Sequence, residues 1–214
     1  MTKTKLCVLA GAVSLSVLAI AHAETRNFDY SGFTEIDASA GVDVDVSVGG
    51  DYSIRAEGDA DALDKLHIEQ KNGTLKIGRE NSANFFSFGN KWRVLVTVTM
   101  PSLTAVEVSS GADVNASGID ANEFSAAVSS GADATLSGTC GKLRAKGSSG
   151  ADLKAADLKC ASADADVSSG ADLDIYASDS VVADASSGGD ITVYGGPKNT
   201  DIDKSSGGGV SIRD

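Results

Sequence analysis

A five-residue motif recurs six times in the second half of this chain at intervals of 18 to 20 residues, and that spacing constrains the fold more than any other feature. The copies are Ser-Ser-Gly-Ala-Asp at 109–113, 129–133, 148–152 and 168–172, then Ser186-Ser187-Gly188-Gly189-Asp190 and Ser205-Ser206-Gly207-Gly208-Gly209. A unit this short has no room for both a helix and a strand. It predicts an all-β solenoid of about 19–20 residues per rung, whose rungs stack into one continuous core. Counting back five, three and one residues from each motif gives Phe124, Ala126 and Val128, then Leu143, Ala145 and Gly147, then Ala163, Ala165 and Val167, then Val181, Ala183 and Ala185. Between them lie residues such as Arg144, Lys146, Asp164 and Asp166, the period-2 alternation of a half-buried strand.

A second inward set follows each motif: Ala132, Ala134 and Leu136, then Ala151, Leu153 and Ala155, then Ala171, Leu173 and Ile175, then Gly189, Ile191 and Val193. So much alanine implies a thin, closely packed coil. The motif itself reads as the corner between two strands, with its glycine in a left-handed turn that a side chain would obstruct. Rungs stacked roughly 4.8 Å apart make six of them a section of about 29 Å, a compact domain and not a long fibre.

Residues 1–23 read as a secretory signal peptide: Lys3 and Lys5, an apolar run from Leu6 to Ile20, and Ala21-His22-Ala23 as the small-x-small cleavage site. Cys7 lacks the small residues a lipidation site needs before it, so no lipid anchor is expected. No later apolar run approaches the roughly 20 residues that span a bilayer, so no membrane span is expected, and nothing in the sequence reads as a β-barrel translocator. The expected location is outside the cytoplasm, in the periplasm, on the cell surface or secreted. Cleavage removes two lysines and no acid, leaving 16 basic against 30 acidic residues and a net charge of −14. Such a balance excludes nucleic acid as a partner, because phosphate binding needs a basic face.

Cys140 and Cys160 each stand eight residues before the next motif and so occupy equivalent places in adjacent rungs. Strand neighbours about 4.8 Å apart fall within the Cα separation a disulfide requires, and in an oxidising compartment the pair is expected to be bonded. Residues 24–100 are less regular. They read as enlarged N-terminal rungs that belong to the same domain as the regular rungs of 101–214 and cap them. Ser39-Ala40-Gly41-Val42-Asp43 is a degenerate corner, Asn72-Gly73 a hairpin turn, Asp59 to Leu66 a single helical turn, and Arg93 to Met100 a strong strand.

The strand Arg93-Val94-Leu95-Val96-Thr97-Val98-Thr99-Met100-Pro101 running into Leu103, Val106, Val108 and the first Ser-Ser-Gly-Ala-Asp resembles the putative auto-transporter adhesin, head GIN domain family. The ending Val193-Tyr194-Gly195-Gly196-Pro197-Lys198, with a last Ser-Ser-Gly-Gly-Gly before Val210 and Ile212, is similar to the way that family closes. The resemblance spans roughly residues 30 to 213. It implies a right-handed parallel β-helix, and it brings no catalytic motif and no cofactor.

Three features are candidates for function. The first is the aspartate after each corner, Asp113, Asp133, Asp152, Asp172 and Asp190, which in-register rungs would stack into a column. Either each carboxylate accepts hydrogen bonds from the N–H groups of its own corner and faces water, or neighbours such as Asp133, Asp152 and Asp172 share a calcium ion; the Gly-Gly-x-Gly-x-Asp calcium-roll pattern is missing. The second is Asn84 to Trp92, where Phe85, Phe86, Phe88 and Trp92 either fold over the solenoid end or present a patch to a partner. The third is the basic pair Arg144 and Lys146 on an acidic surface. The single mature histidine, His67, falls on the expected hairpin and has none of the spacings of a hydrolase triad or zinc site.

The reading that follows is a non-enzymatic envelope or secreted module that binds a protein or glycan. Its rivals are a polysaccharide-acting β-helix enzyme, which would need a deep groove lined by acids and Arg144, and a calcium-binding structural solenoid. An ice-binding face would display threonine ladders where this chain has Ser, Asp and Lys. The last strand, with Val210 and Ile212, is expected to leave an uncovered rung and to permit a homo-oligomer through the solenoid ends.

Overall fold

A computed structural model describes residues 24–79 and 93–214. Its elements in chain order are β1 (Glu24–Phe28), β2 (Glu35–Ala38), β3 (Asp43–Val48), β4 (Ser53–Gly58), α1 (Ala60–Leu63), β5 (Leu66–Lys71), β6 (Thr74–Arg79), β7 (Val94–Met100), β8 (Ala105–Val108), β9 (Asp113–Ser129), β10 (Asp133–Ser148), β11 (Asp152–Val167), β12 (Asp172–Ala185), β13 (Asp190–Tyr194), β14 (Asn199–Lys204) and β15 (Gly209–Arg213). All 15 strands join one hydrogen-bonded network. From β9 onward every pairing is parallel and runs from each rung to the next, as stacked coils of a β-solenoid require.

Each corner is tighter than the position of its glycine alone suggests. The second serine is left-handed as well, with φ of 55° at Ser110, 58° at Ser130, 57° at Ser149, 55° at Ser169, 51° at Ser187 and 48° at Ser206, each followed by a glycine between 66° and 81°. Two consecutive residues of positive φ make a type I′ turn, closed by a hydrogen bond such as Ala112 N–H to the Ser109 carbonyl at 3.2 Å. The chain reverses there within four residues. It does not reverse so sharply elsewhere in the rung. β9, β10 and β11 each run unbroken for 16 or 17 residues from one corner to the next, and the opposite side of the coil is turned by soft bends at which the register slips, as between Leu136 and Gly138.

The inward sets expected from the alternation are all buried. Phe124, Leu143, Leu153 and Leu173 supply most of the bulk, and alanines fill the rest. Large residues face small ones across the coil: a Cβ added to Gly147 would lie 2.7 Å from the Leu173 side chain on the opposite sheet.

Residues 24–100 differ from a simple continuation of the rungs. β3 stacks in parallel directly on β9, pairing Asp43 with Asp113, and β7 adds to the other edge of β3. Beyond it β4 and β1 run antiparallel, as does the hairpin of β5 and β6. Asn72 (φ 53°) and Gly73 (φ 86°) form that hairpin's type I′ turn, which lays β5 and β6 side by side and antiparallel. At the other end of the stack Ile202 and Ile212, in the columns of buried Ala183 and Val193, are 37% and 41% exposed.

Cys140 and Cys160 are register partners in β10 and β11 and form a disulfide with a Cα separation of 4.4 Å. Both are buried. The closed loop of about 20 residues contributes on the order of 3 kcal/mol through the unfolded state. Replacing both cysteines by serine is expected to lower the melting temperature by about 6–12 °C in a thermal unfolding experiment, and titration of unfolded, unreduced 24–214 protein should find no free thiol.

Candidate functional site

The aspartates after the corners form a continuous ladder. Register pairs run Asp43–Asp113–Asp133–Asp152–Asp172–Asp190, six carboxylates in one outward column. Asp43 was absent from the sequence-derived set, although its signal was there: Ala40 (φ 61°) and Gly41 (φ 72°) repeat the corner conformation, and Asp43 follows at the same offset as the others. Two residues further along each strand lies a second outward column of Asp45, Asn115, Thr135, Lys154, Asp174 and Thr192, in which Asn115 Nδ2 donates to Asp45 Oδ1 at 3.2 Å.

Corner N–H groups donate to backbone carbonyls, and among the described residues none donates to a column carboxylate. In the second rung Gly131 donates to the Ser149 carbonyl, Ala132 to Ser129 and Asp133 to Ala112. The carboxylates therefore face water and each other. At Asp113, partial burial and then the carboxylates of Asp133 and Asp43 push the carboxyl above its ordinary range, with Lys154 pulling the other way. Burial, Asp152, Asp190 and Asp174 do the same at Asp172. Among the described residues no three His, Cys, Asp or Glu side chains converge as a metal site.

A carboxyl whose pKa is higher in the fold than in the unfolded chain holds its proton more tightly in the fold. Stability then falls as pH rises through the window just above the ordinary value of 3.8, and the penalty persists at neutral pH. Neutralising Asp172 relieves repulsion from two neighbours, each worth roughly 1 kcal/mol in water before salt screening. Asp172→Asn is thus expected to stabilise the chain at pH 7 by about 0.5–1 kcal/mol, raising the melting temperature by about 1–4 °C, with the gain vanishing below pH 3.8 and shrinking in high salt.

The opposite flank is charged but paired. Arg144 lies 3.6 Å from Glu123, Lys142 3.7 Å from Asp164 and Lys146 4.0 Å from Asp166. A shallow groove of about 610 Å³ runs along the rungs there, between the charged column of Lys146, Asp166 and Asp184 and the serines Ser129, Ser148, Ser168 and Ser186. Arg144 is outside it. The acid-and-arginine groove that a polysaccharide-cleaving site would need is thus not assembled around Arg144. His67 lies exposed on β5, 3.8 Å from Glu69.

A second concavity, of about 660 Å³, opens on the soft-bend side near the C-terminal rungs. Tyr176 and Tyr194 are register partners in successive rungs and form its aromatic wall. The Lys159 ammonium stands 4.3 Å from the centre of the Tyr176 ring, and the Arg213 guanidinium 6.0 Å from that of Tyr194. The sequence reading passed over this pair, yet each tyrosine stands four residues after its column aspartate, Asp172 or Asp190. The expected aromatic candidates Phe85, Phe86, Phe88 and Trp92 lie outside the described residues, as does the 1–23 segment.

The family model described as "Putative auto-transporter adhesin, head GIN domain" matches residues 32–197, most of the chain. The chain belongs to this family. Solved structures carry the same fold. A putative adhesin from Bacteroides fragilis is similar with a TM-score of 0.69 at 18% identity, covering 90% of this chain and 97% of that one. A putative adhesin from Parabacteroides merdae has a TM-score of 0.52 at 13% identity, covering 90% and 96%. A putative lipid binding protein from Parabacteroides distasonis has a TM-score of 0.51 at 16% identity, covering 90% and 97%. No curated protein matches the chain in sequence. No described helix is long and apolar enough to cross a membrane.

Proposed function

We propose that this chain is a non-enzymatic, exported adhesin-like module that binds a protein or glycan through the exposed flanks of its solenoid. The observation that carries the proposal is the in-register polar face: six aspartates in one column beside a column of Asp, Asn, Thr and Lys, mounted on a rigid ladder of backbone hydrogen bonds. Such a face offers many hydrogen-bonding groups at fixed spacing, the property of a recognition surface. Membership in an adhesin family supports the same reading.

Export is supported by the signal-like pattern of residues 1–23 and by the buried disulfide, a bond that persists in oxidising compartments. Protease shaving of intact producing cells, with a periplasmic protein as control, tests the placement on the surface. Loss of this protein while the control survives is the expected result. Protection until the outer membrane is opened would confine it to the periplasm and direct the search to envelope partners.

A further inference from the structure

We propose that the concavity walled by Tyr176 and Tyr194 is a binding site for a neutral hexopyranose unit of a glycan, a proposal that rests on the adhesin-like reading above and gives it a place on the molecule. The site is built and not merely exposed. Tyr176 lies across a glycine: a Cβ at Gly195 would come 2.7 Å from the ring and 2.7 Å from the Ala177 carbonyl, and Gly195 itself has a φ of 96°. The backbone thus forms a saddle that fixes the ring, and Gly196, also of positive φ, keeps that rim free of side chains. Tyr194 follows one rung away, so two half-buried rings line a volume of about 660 Å³, within the range of small-molecule sites.

The chemistry around the rings selects the ligand class. A pyranose has an apolar C–H face, which suits an aromatic wall, and a rim of hydroxyls, which suits groups that both donate and accept. Asp157, with its side chain 86% exposed, supplies an acceptor 3.7 Å from the Lys159 ammonium. Lys159 and the tyrosine hydroxyls supply donors. Charge is balanced locally, Lys159 and Arg213 against Asp157 and Asp214, on a chain whose mature net charge is −14. An anionic sugar would meet the repulsion of the whole molecule without a local excess of positive charge to offset it, and a cationic ligand would compete with the Lys159 ammonium already seated on Tyr176. A neutral sugar meets no charge repulsion, and with Lys159 held on the Tyr176 ring its apolar face would stack on Tyr194 while its hydroxyls meet Lys159 and Asp157.

The test is titration of ¹⁵N-labelled 24–214 protein with neutral glucose, galactose and mannose oligosaccharides and with uronic-acid oligosaccharides, read by amide chemical shifts. The expected result is saturable binding of at least one neutral series, with shifts centred on Gly195 and Gly196. Tyr194→Ala should weaken it at least tenfold while Tyr194→Phe stays within about threefold. Asp157→Ala, at an exposed position that folding does not depend on, should weaken it severalfold and keeps the test valid if the tyrosine variant does not fold. Absence of shifts up to 10 mM sugar, shifts centred elsewhere, binding confined to the acidic series, or unchanged affinity in Tyr194→Ala and Asp157→Ala would each overturn the assignment. The adhesin-like reading fails separately: it would be contradicted by cells whose attachment does not change when the whole protein is removed.

Discussion

Gly138→Ala is expected to destabilise the chain by about 3–5 kcal/mol, the combined cost of backbone strain and overpacking. Gly138 sits at the soft bend of β10, where the register against β9 slips by one residue, and its φ of 137° is one that L side chains rarely adopt. A Cβ there would lie 2.1 Å from the Ile119 carbonyl oxygen and 2.6 Å from the Ile119 nitrogen. Both belong to the backbone of the neighbouring rung. No rotamer change can relieve the contact, so either the rungs separate or the bulge is lost. The corner glycines provide the control: Gly150 has a φ of 67° with nothing within 4 Å of an added Cβ, so Gly150→Ala should cost only the left-handed strain, about 1–2 kcal/mol. Urea unfolding of the two variants side by side measures the difference. Equal losses at both positions would show that rung-to-rung contact at Ile119 does not set the cost.

Phe124→Ala is expected to cost about 3–5 kcal/mol and to lower the melting temperature by about 6–20 °C. Phe124 is 1% exposed, with Leu143 as its register partner in the next rung and buried Ala126 two residues along its own strand. Collapse of the cavity would require the backbone to move, and the parallel ladders on both faces hold the backbone in place. The cost should therefore fall in the upper part of the range for large-to-small changes. Thermal unfolding of the variant checks it, and a loss under 1 kcal/mol would mean that the alanine-rich interior relaxes in a way these ladders do not suggest.

Much of this was legible because a solenoid repeats its own evidence. Corner, inward set and outward column recur at one offset, so an error in one rung is corrected by the next. The Cys140–Cys160 bond followed from equal spacing to the next corner, since equal offset means register partnership in a parallel stack. What escaped the sequence reading lies where repetition ends. The mixed pairing of β1, β4 and β7 depends on tertiary contacts with no local signature, and the strand order that seats β3 on β9 brings together residues 70 positions apart. The soft bends carry no common motif: β9 and β10 turn at Gly118 (φ 77°) and Gly138 (φ 137°), whereas β11 and β12 turn without any residue of positive φ. The second serine of each corner is left-handed at a position where glycine is the ordinary choice, and the sequence announces only the glycine beside it. Among the site residues, the aspartate column was read from its offset; Asp43 was recognised on a degenerate corner but lies 70 residues from its partner Asp113, outside the regular period, and the tyrosine pair is a two-rung pattern too short to stand out.

Adhesion is the claim that matters most, and attachment of whole cells tests it most directly. Strains with the gene deleted and restored should be compared on host-cell and abiotic surfaces, with purified 24–214 protein added as a competitor. The account predicts that deletion lowers attachment to at least one surface, that restoration recovers it, and that the soluble protein inhibits it. Attachment unchanged by deletion and by competitor, in cells where shaving places the protein on the surface, would contradict it.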